Sequence, residues 1–314
     1  MSDRFYYGGQ AVLEGVMMRG RTAYAVATRS PKEGIHVTEH PGQPWVRRAR
    51  LLGWPLMRGT VAMAEALVIG YRALNDSARR LMEAEDGAQE APSPRQSAAA
   101  RLMEVATLVL GVGLAVALFV LLPAAVVRLV EPFLPGSVLL NLVEGAVKAT
   151  VFIGYVWAIG FLPDMARVFQ YHGAEHKVIN CYEAGRPLEV ASARQASRIH
   201  PRCGTNFLFL VVLVSVVAFS VVTGFTGRPP VAERVAIHLL ILPLVAGTAY
   251  ELIRAAARPS APLIVRWLAR PGMWLQGLST REPDDAQLEV AIAALRAVLE
   301  RDGAATPGRE VVVV

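Results

Sequence analysis

The chain has 314 residues, of which 54% are hydrophobic and only 18% are charged, with a net charge of +6 at pH 7. Because soluble domains carry roughly 25% charged residues, this composition excludes an ordinary soluble protein of two domains, and it also excludes a disordered, collagen-like or disulfide-rich secreted chain. The charged residues are missing from long apolar runs, which predicts an α-helical multi-pass membrane protein with about four spans, a small N-terminal β region and interfacial helices.

The N-terminal 50 residues are predicted to form a small cytoplasmic β region. The expected strands are Ala11–Met18, Thr22–Thr28 and Ile35–Glu39, with a turn at Ser30–Gly34. The glycines of this region are Gly8, Gly9, Gly15 and Gly20, for which we expect tight turns and bulges or, alternatively, a loop that contacts a ligand. Glu14 and Arg19 are expected either to form an ordinary ion pair on a strand or to support a site elsewhere in the fold.

Residues 51–82 are predicted to form a helix that lies in the membrane interface or re-enters the bilayer. Its apolar, helix-period core is interrupted by Arg58, Glu65 and Arg72. A carboxylate such as Glu65 near the centre of a span costs about 2.5–3.5 kcal/mol, so a full crossing is disfavoured. Residues 83–104 are rich in polar residues and proline and are predicted to be a linker.

Four membrane spans are predicted, two in residues 105–162 and two in residues 207–253. They are Val105–Val127, Ala149–Leu162, Phe207–Phe225 and Val235–Tyr250. The second span is short and reaches about 20 residues only if Gly145–Thr150 joins it, with Lys148 extending toward the surface. The spans otherwise contain almost no ionisable residue beyond His238, which is expected to be a hydrogen-bonded histidine of the core.

The basic residues are distributed unequally between the two sides that these spans define. Of 32 Lys and Arg residues, 28 precede Val105, lie in the loop Pro163–Asn206 or follow Tyr250. The positive-inside rule therefore predicts a plasma-membrane protein with both termini and the central loop in the cytoplasm. The N-terminus has no apolar signal core, so no cleaved secretory peptide is expected. The basic excess is explained by topology and by contact with the lipid bilayer, and no nucleic-acid partner is expected.

The central segment, residues 163–206, carries the residues that are candidates for metal binding and catalysis. His172-Gly173-Ala174-Glu175-His176 matches the inverted zincin motif His-x-x-Glu-His. At about 100° per residue on a helix, His176 lies about 40° from His172 and Glu175 about −60° from it, so both imidazoles can bind one ion. Glu175 is the candidate catalytic general base. On the same helix, Glu183 points the same way as His172 and Cys181 points away.

A second group follows in His200–Asn206, just before the third span. His200 precedes a proline and is expected on a loop, where it and Cys203 can approach His172 and His176. The remaining ligand is therefore Glu183, His200 or Cys203, with Arg202 as a supporting residue. Sulfur together with imidazole favours Zn²⁺ as the divalent metal. A closed site of four protein ligands indicates a structural zinc, whereas an open position indicates catalysis.

Residues 254–314 are predicted to be an interfacial segment followed by an amphipathic helix. Ala261–Leu278 carries two tryptophans among arginines, a composition typical of interfacial anchors. The helix Asp284–Arg301 begins at Pro283-Asp284-Asp285, and its apolar stripe is Leu288, Ile292, Leu295 and Leu299.

Four motifs together resemble the bacterial YqhQ-like family of membrane proteins of unknown function. They are Tyr7–Gly20, His172–Glu183, His200–Asn206 and Pro271–Gln276. The resemblance extends from about residue 6 to residue 300, without the linker, and implies a multi-pass membrane domain described as a predicted metal-dependent enzyme.

Three functions remain open from the residues. The first is a metal-dependent hydrolase with an unknown substrate, and the second is a non-catalytic, zinc-stabilised scaffold that docks a cytoplasmic protein partner. A transporter is disfavoured because ionisable residues are scarce in the predicted spans.

Overall fold

The N-terminal region folds into a four-stranded antiparallel sheet in the computed structural model of the chain. The structure describes residues 6–30, 34–47, 49–86, 94–134, 136–227, 230–258 and 260–303. The strands are β1 (Gly8–Val12), β2 (Gly15–Arg19), β3 (Ala23–Ser30) and β4 (Gly34–Pro41). Each strand pairs with the next in the order β1-β2-β3-β4. A small β region at the N-terminus is therefore present as predicted.

The predicted strand Ala11–Met18 is two strands joined by a tight turn, so that prediction was wrong. Val12 pairs with Gly15, and Glu14 in the turn between them has φ of +48°. The apolar pattern runs on through Leu13, so periodicity alone does not reveal the reversal. The predicted turn at Ser30–Gly34 includes residues 31–33, which lie outside the described residues.

Ten α-helices make up most of the described remainder. They are α1 (Met57–Asp86), α2 (Pro94–Val116), α3 (Leu122–Val130), α4 (Ser137–Ile159), α5 (Pro163–Glu183), α6 (Val190–Arg194), α7 (Gly204–Thr226), α8 (Val231–Ala256), α9 (Leu263–Ser279) and α10 (Asp285–Arg301). A π-helical turn at Ala117–Leu121 joins α2 to α3, because Pro123 lacks the amide that a regular helix would need there. The two ends of the predicted linker at 83–104 are helical, because α1 continues to Asp86 and α2 begins at Pro94. Residues 87–93 between them lie outside the described part of the chain.

Among the described residues, four helical stretches are long and apolar enough to cross a bilayer, as in a membrane protein. They are Val105–Phe133, Val138–Ile159, Gly204–Phe225 and Leu239–Ala256. Their number is as predicted, and three of them overlap the predicted spans closely. The side chain of His238 in α8 is not among those the structure describes.

The second span starts 11 residues earlier than Ala149 and contains two charged residues, which corrects the expectation of nearly uncharged spans. Glu144 and Lys148 lie one helical turn apart on α4, with Nζ 2.7 Å from the carboxylate, and both side chains are largely buried. The pair faces α7, where Lys148 lies over the Phe219 ring. Because the two charges neutralise each other inside the protein, they do not interrupt the span.

Outside the spans, the sheet and three helices share one hydrophobic core, and this unit is called the sheet–helix body. Its core joins β2 and β3 to α5, α6 and α10 through fully buried side chains such as Met18, Tyr171 and Leu295. α10 begins with a capping box between Asp284 and Gln287. Its predicted apolar stripe is buried, and it packs on the sheet rather than on the membrane surface.

α1 lies between the sheet and the fourth span. Glu65 is buried, and it binds Arg19 at 2.5 Å and accepts the Trp45 amide at 3.0 Å. At the other end of α1, Arg58 forms a two-hydrogen-bond ion pair with Glu251 on α8. Two of the three charges that interrupt the apolar pattern of α1, Arg58 and Glu65, are therefore held by protein partners.

Candidate metal centre

α5 is the helix that carries the His-x-x-Glu-His motif. It begins at Pro163, whose fixed φ suits the first helical position. It ends where Gly185 adopts φ of +69°, the C-terminal position that favours glycine. His172 and His176 therefore lie one turn apart on a continuous helix, as the spacing predicted, and their ring centroids are 4.4 Å apart.

Three potential metal ligands converge on one point, and they are called the His–His–Cys cluster: His172, His176 and Cys203. One ligand atom from each residue lies within 4.8 Å of the others. The Cys203 Sγ is 3.3 Å from the His172 Nε2. The spacing between the donors is close enough for a single ion to contact all three.

Backbone carbonyl groups determine the orientation of both imidazoles. His172 Nδ1 lies 2.8 Å from the Ser279 carbonyl oxygen, and His176 Nδ1 lies 2.7 Å from the Arg198 carbonyl oxygen. Since a carbonyl only accepts, each Nδ1 must donate its hydrogen, and each neutral ring then keeps its lone pair on Nε2. Metal-binding histidines are held in this way by a carbonyl or carboxylate on the second nitrogen.

Cys203 reaches the cluster from the start of α7. It is buried at the N-cap position of α7, where the partial charges of the backbone amides favour negative charge. Its Sγ also lies 3.1 Å from the Thr205 Oγ1. The cluster therefore joins two helices that are separated by 20 residues of chain.

Glu183 and His200 form a second group beside the cluster and do not join it. His200 Nε2 is 3.6 Å from the Glu183 carboxylate, which also binds Arg202. Burial lowers the pKa of His200. Burial opposes ionisation of Glu183, but the hydrogen bond from His200 and the charge of Arg202 together hold its pKa below the usual range.

Of the three residues expected to complete the ligand set, the structure thus brings only Cys203 to the two histidines. The Gln276 side chain holds the backbone of His200 through two hydrogen bonds. It accepts one from the His200 amide at 2.9 Å and donates one to the His200 carbonyl oxygen at 2.8 Å. Cys181 points away, as its position on the helix predicted, and donates to the Pro187 carbonyl.

Glu175 lies next to the cluster, under the first strand of the sheet. Its side chain is buried and accepts a hydrogen bond from the Gly9 amide. Burial raises the pKa of Glu175 to about 7, although the neighbouring His172 and the Gly9 amide act in the opposite direction. The carboxyl group can therefore exchange a proton near neutral pH.

Glu14 and Arg19 do not bind each other, so of the two alternatives expected for them the ion pair was wrong. Glu14 binds the Arg167 guanidinium through two hydrogen bonds and accepts one from the Tyr171 hydroxyl. Arg19 instead binds Glu65 on α1. The tight turn at Glu14 turns its side chain toward α5, where it supports the helix just before His172.

Sequence reasoning missed the groups that orient the histidines. The carbonyls of Arg198 and Ser279 belong to the backbone, so no residue type marks them in a sequence. Thr205 carries a weak signal, because it lies two residues after Cys203 and can place its hydroxyl beside the sulfur.

Two comparisons with known proteins give related results. The family described as "Protein of unknown function (DUF1385)" matches residues 54–301. The chain is 33% identical over 296 residues to a Bacillus subtilis (strain 168) protein described as "Uncharacterized protein YqhQ", and the match covers 93% of this chain and 92% of that protein. No solved structure matches the chain. These descriptions name neither a metal nor a reaction, so the chemistry has to be argued from the geometry.

Proposed function

This chain belongs to the DUF1385 family of proteins of unknown function, and from that premise we propose that it is a membrane-bound, metal-dependent hydrolase. The observation that carries the proposal is the His–His–Cys cluster, in which both histidines donate from Nδ1 to backbone carbonyls and keep Nε2 free for an ion. These hydrogen bonds satisfy the buried Nδ1 atoms and leave both Nε2 atoms as the nitrogens that an ion would contact.

The three donors of the cluster fit Zn²⁺ and leave its fourth coordination position open. Two imidazole nitrogens and one sulfur are ligands that Zn²⁺ prefers over Mg²⁺ or Ca²⁺. Catalytic zinc sites use three protein ligands, whereas structural sites use four. Since His200 is held by Glu183 and Gln276, the described residues supply three ligands, which favours the catalytic arrangement.

In this proposal Glu175 is the general base. A bound Zn²⁺ ion supplies a Lewis acid that acidifies water and polarises the bond to be hydrolysed. Glu175 would accept the proton of the attacking water and return it to the leaving group as the bond breaks, while the Gly9 amide holds its carboxylate in place. His172 and His176 keep their rings fixed while this proton moves, because their Nδ1 hydrogens remain bonded to carbonyls.

We place the site on the cytoplasmic side of the plasma membrane, near the level of the lipid headgroups. The 28 basic residues that flank the spans on one side support this orientation. The second span ends at Ile159 and α5 begins at Pro163, so His172 lies nine residues into α5, about 14 Å along that helix. A substrate bond near the bilayer surface is then within reach, and one at the bilayer midplane is not.

A zinc-stabilised scaffold for a cytoplasmic partner is the second candidate, and one observation favours it. The cluster joins α5 of the sheet–helix body to the start of the third span, and its carbonyl partners lie in two further segments. An ion there stabilises the attachment of the body to the spans whether or not it takes part in a reaction.

The ligand set is tested by zinc content in two cysteine variants. Both native cysteines are buried, but only Cys203 belongs to the cluster. Cys203→Ala should lower the zinc content of the purified protein severalfold, as should His176→Ala, while the matched control Cys181→Ala keeps it. His200→Gln should also keep its zinc. Equal zinc content in Cys203→Ala and in Cys181→Ala would contradict the site.

A separate pair of variants tests catalysis against the scaffold role. Glu175→Gln keeps the size of the side chain and removes the basic carboxylate, so it should retain zinc and fold but fail to complement a deletion strain. The control Glu189→Gln changes an exposed carboxylate of the same segment and should complement fully. Full complementation by zinc-loaded Glu175→Gln excludes the hydrolase and leaves the scaffold.

A further inference from the structure

A cleft of about 270 Å³ opens where the end of α4 meets the end of α9. We call it the α4–α9 cleft. Its lining includes Trp157 and Phe161 from the end of the second span, Arg198 from the segment before α7, and Thr280, Arg281 and Glu282 after α9. The volume is just below the range of roughly 300–1,000 Å³ that accommodates drug-sized ligands, which suits a small headgroup rather than a whole lipid.

The two arginines of this cleft carry charge that no carboxylate neutralises among the described residues. Arg198 donates to the Thr280 carbonyl at 2.6 Å, and Arg281 donates to the Gly160 carbonyl. Each guanidinium has five N–H donors, so these bonds fix the position of both groups and leave several donors for another acceptor. The one carboxylate in the lining, Glu282, is paired with Lys177 at 2.5 Å.

The apolar side of the cleft is formed by the aromatic residues at the end of a membrane span. Trp157 is 57% exposed and Phe161 is 67% exposed, and their rings meet edge to face with centroids 4.9 Å apart. Aromatic side chains at this level of a span lie at the boundary between acyl chains and headgroups. A ligand in the cleft therefore meets two fixed cations on one side and the lipid phase on the other.

We infer that the α4–α9 cleft binds the phosphate of an anionic membrane lipid, with the acyl chains lying along Trp157 and Phe161. Two guanidinium groups match the several oxygens of a phosphate, which accepts paired hydrogen bonds from arginine. The same phosphate chemistry occurs in soluble phosphate esters, but the aromatic wall at the end of a span favours the lipid.

The cleft is also coupled to the His–His–Cys cluster. The backbone carbonyl of Arg198 orients His176, and that of Ser279, next to Thr280, orients His172. The two segments that orient the imidazoles are thus the two that carry the arginines of the cleft. If the chain is the proposed hydrolase, the bound lipid is its substrate. The binding of the lipid in the cleft does not depend on that proposal.

The test is lipid binding by the full-length protein in detergent, measured by native mass spectrometry. The probes are phosphatidylglycerol and phosphatidic acid as anionic lipids, phosphatidylcholine as a zwitterionic lipid, and glycerol 3-phosphate as a soluble ester. We expect one equivalent of either anionic lipid to bind more tightly than phosphatidylcholine. Arg281→Gln and Arg198→Gln should each weaken it about tenfold, as expected for loss of a charge-assisted hydrogen bond.

Arg270→Gln is the matched control, because Arg270 is an exposed arginine of the neighbouring helix α9 but packs over Trp267 outside the cleft. Arg281 is exposed, so Arg281→Gln should keep the fold even where Arg198→Gln, which frees the Thr280 carbonyl, does not. Equal weakening by Arg270→Gln and Arg281→Gln would overturn the inference, as would tight binding of phosphatidylcholine. If glycerol 3-phosphate binds and the lipids do not, the cleft is a phosphate site but its ligand is a soluble ester, not a membrane lipid.

The same titration after removal of metal with a chelator separates this inference from the proposed function. Lipid binding that persists after chelation supports the cleft, whereas protein that contains no zinc as purified, before any chelator is added, overturns the hydrolase. If protein that contains zinc binds anionic lipids no more tightly than phosphatidylcholine, the inference about the cleft is overturned and the proposed hydrolase is not.

Discussion

Gly9 shows how a single residue of the sheet sets the position of the candidate base. A Cβ atom at this position would lie 2.4 Å from the Met17 carbonyl oxygen and 3.1 Å from the Glu175 Cγ. Only glycine lets β1 approach α5 closely enough for its amide to bind the buried carboxylate. The glycine is therefore explained by contact between two elements of the protein.

Gly9→Ala is expected to destabilise the sheet–helix body by about 1–3 kcal/mol, because the added methyl group overlaps backbone and side-chain atoms. It should also lower complementation through displacement of Glu175. Gly8→Ala is the control, since nothing lies within 4 Å of a Cβ at Gly8. Thermal unfolding of the two purified variants measures the difference, and equal melting temperatures would contradict the argument.

At the scale of elements, α4 is held to α7 by polar and small residues. Asn141 donates to the Thr223 hydroxyl at 2.8 Å, and Gly145 lies directly against Val216. The Glu144–Lys148 pair lies on the same face. Small residues and internal hydrogen bonds are the usual means of helix association in a bilayer, where lipid offers no hydrophobic driving force.

Lys148→Met is expected to destabilise the protein strongly, by about 3–5 kcal/mol, because it removes the cation that neutralises the buried Glu144 carboxylate. The double variant Glu144→Gln/Lys148→Met removes both charges and should recover most of that loss. Melting temperatures in one detergent measure both effects. A double variant as unstable as the sum of its two single variants would show that the pair is not the reason for the charges in this span.

At the scale of the whole molecule, the chain consists of a bundle of apolar helices with the sheet–helix body at one end. Two helices with apolar exposed faces lie between them. On α1 these residues are Leu67, Tyr71 and Leu74, and on α9 they include Trp267 and Trp274. Such faces fit the boundary between water and acyl chains, so both helices are expected to lie at the membrane surface beside the body.

This arrangement predicts which residues are accessible from each side of the membrane. Pro187→Cys, in the segment after α5, should react with a membrane-impermeant maleimide only after cells are opened. Phe133→Cys, at the end of the first span, should react in intact cells, since Phe133 is 81% exposed. The unmodified protein is the control, because both native cysteines are buried. Labelling of Pro187→Cys in intact cells would reverse the proposed orientation.

The sequence by itself determined the features that depend on neighbouring residues. Apolar runs of sufficient length identify the four candidate spans, because a helix must cover the thickness of the bilayer with apolar side chains. A spacing of four residues places His172 and His176 on one face of α5, and a spacing of nine places Cys181 on the opposite face. The apolar stripe and capping residues of α10 also follow from local periodicity.

Only the tertiary structure decided which residues meet across the fold. Glu183, His200 and Cys203 were all candidates for the remaining ligand, and the approach of Cys203 to His172 depends on how α7 starts beside α5. Glu14 and Arg19 bind different helices because a tight turn sends them to different sides of the sheet. The carbonyls that orient the histidines belong to backbone whose path no residue type reveals. Contacts between distant segments depend on packing of the whole chain, and local sequence patterns do not contain that information.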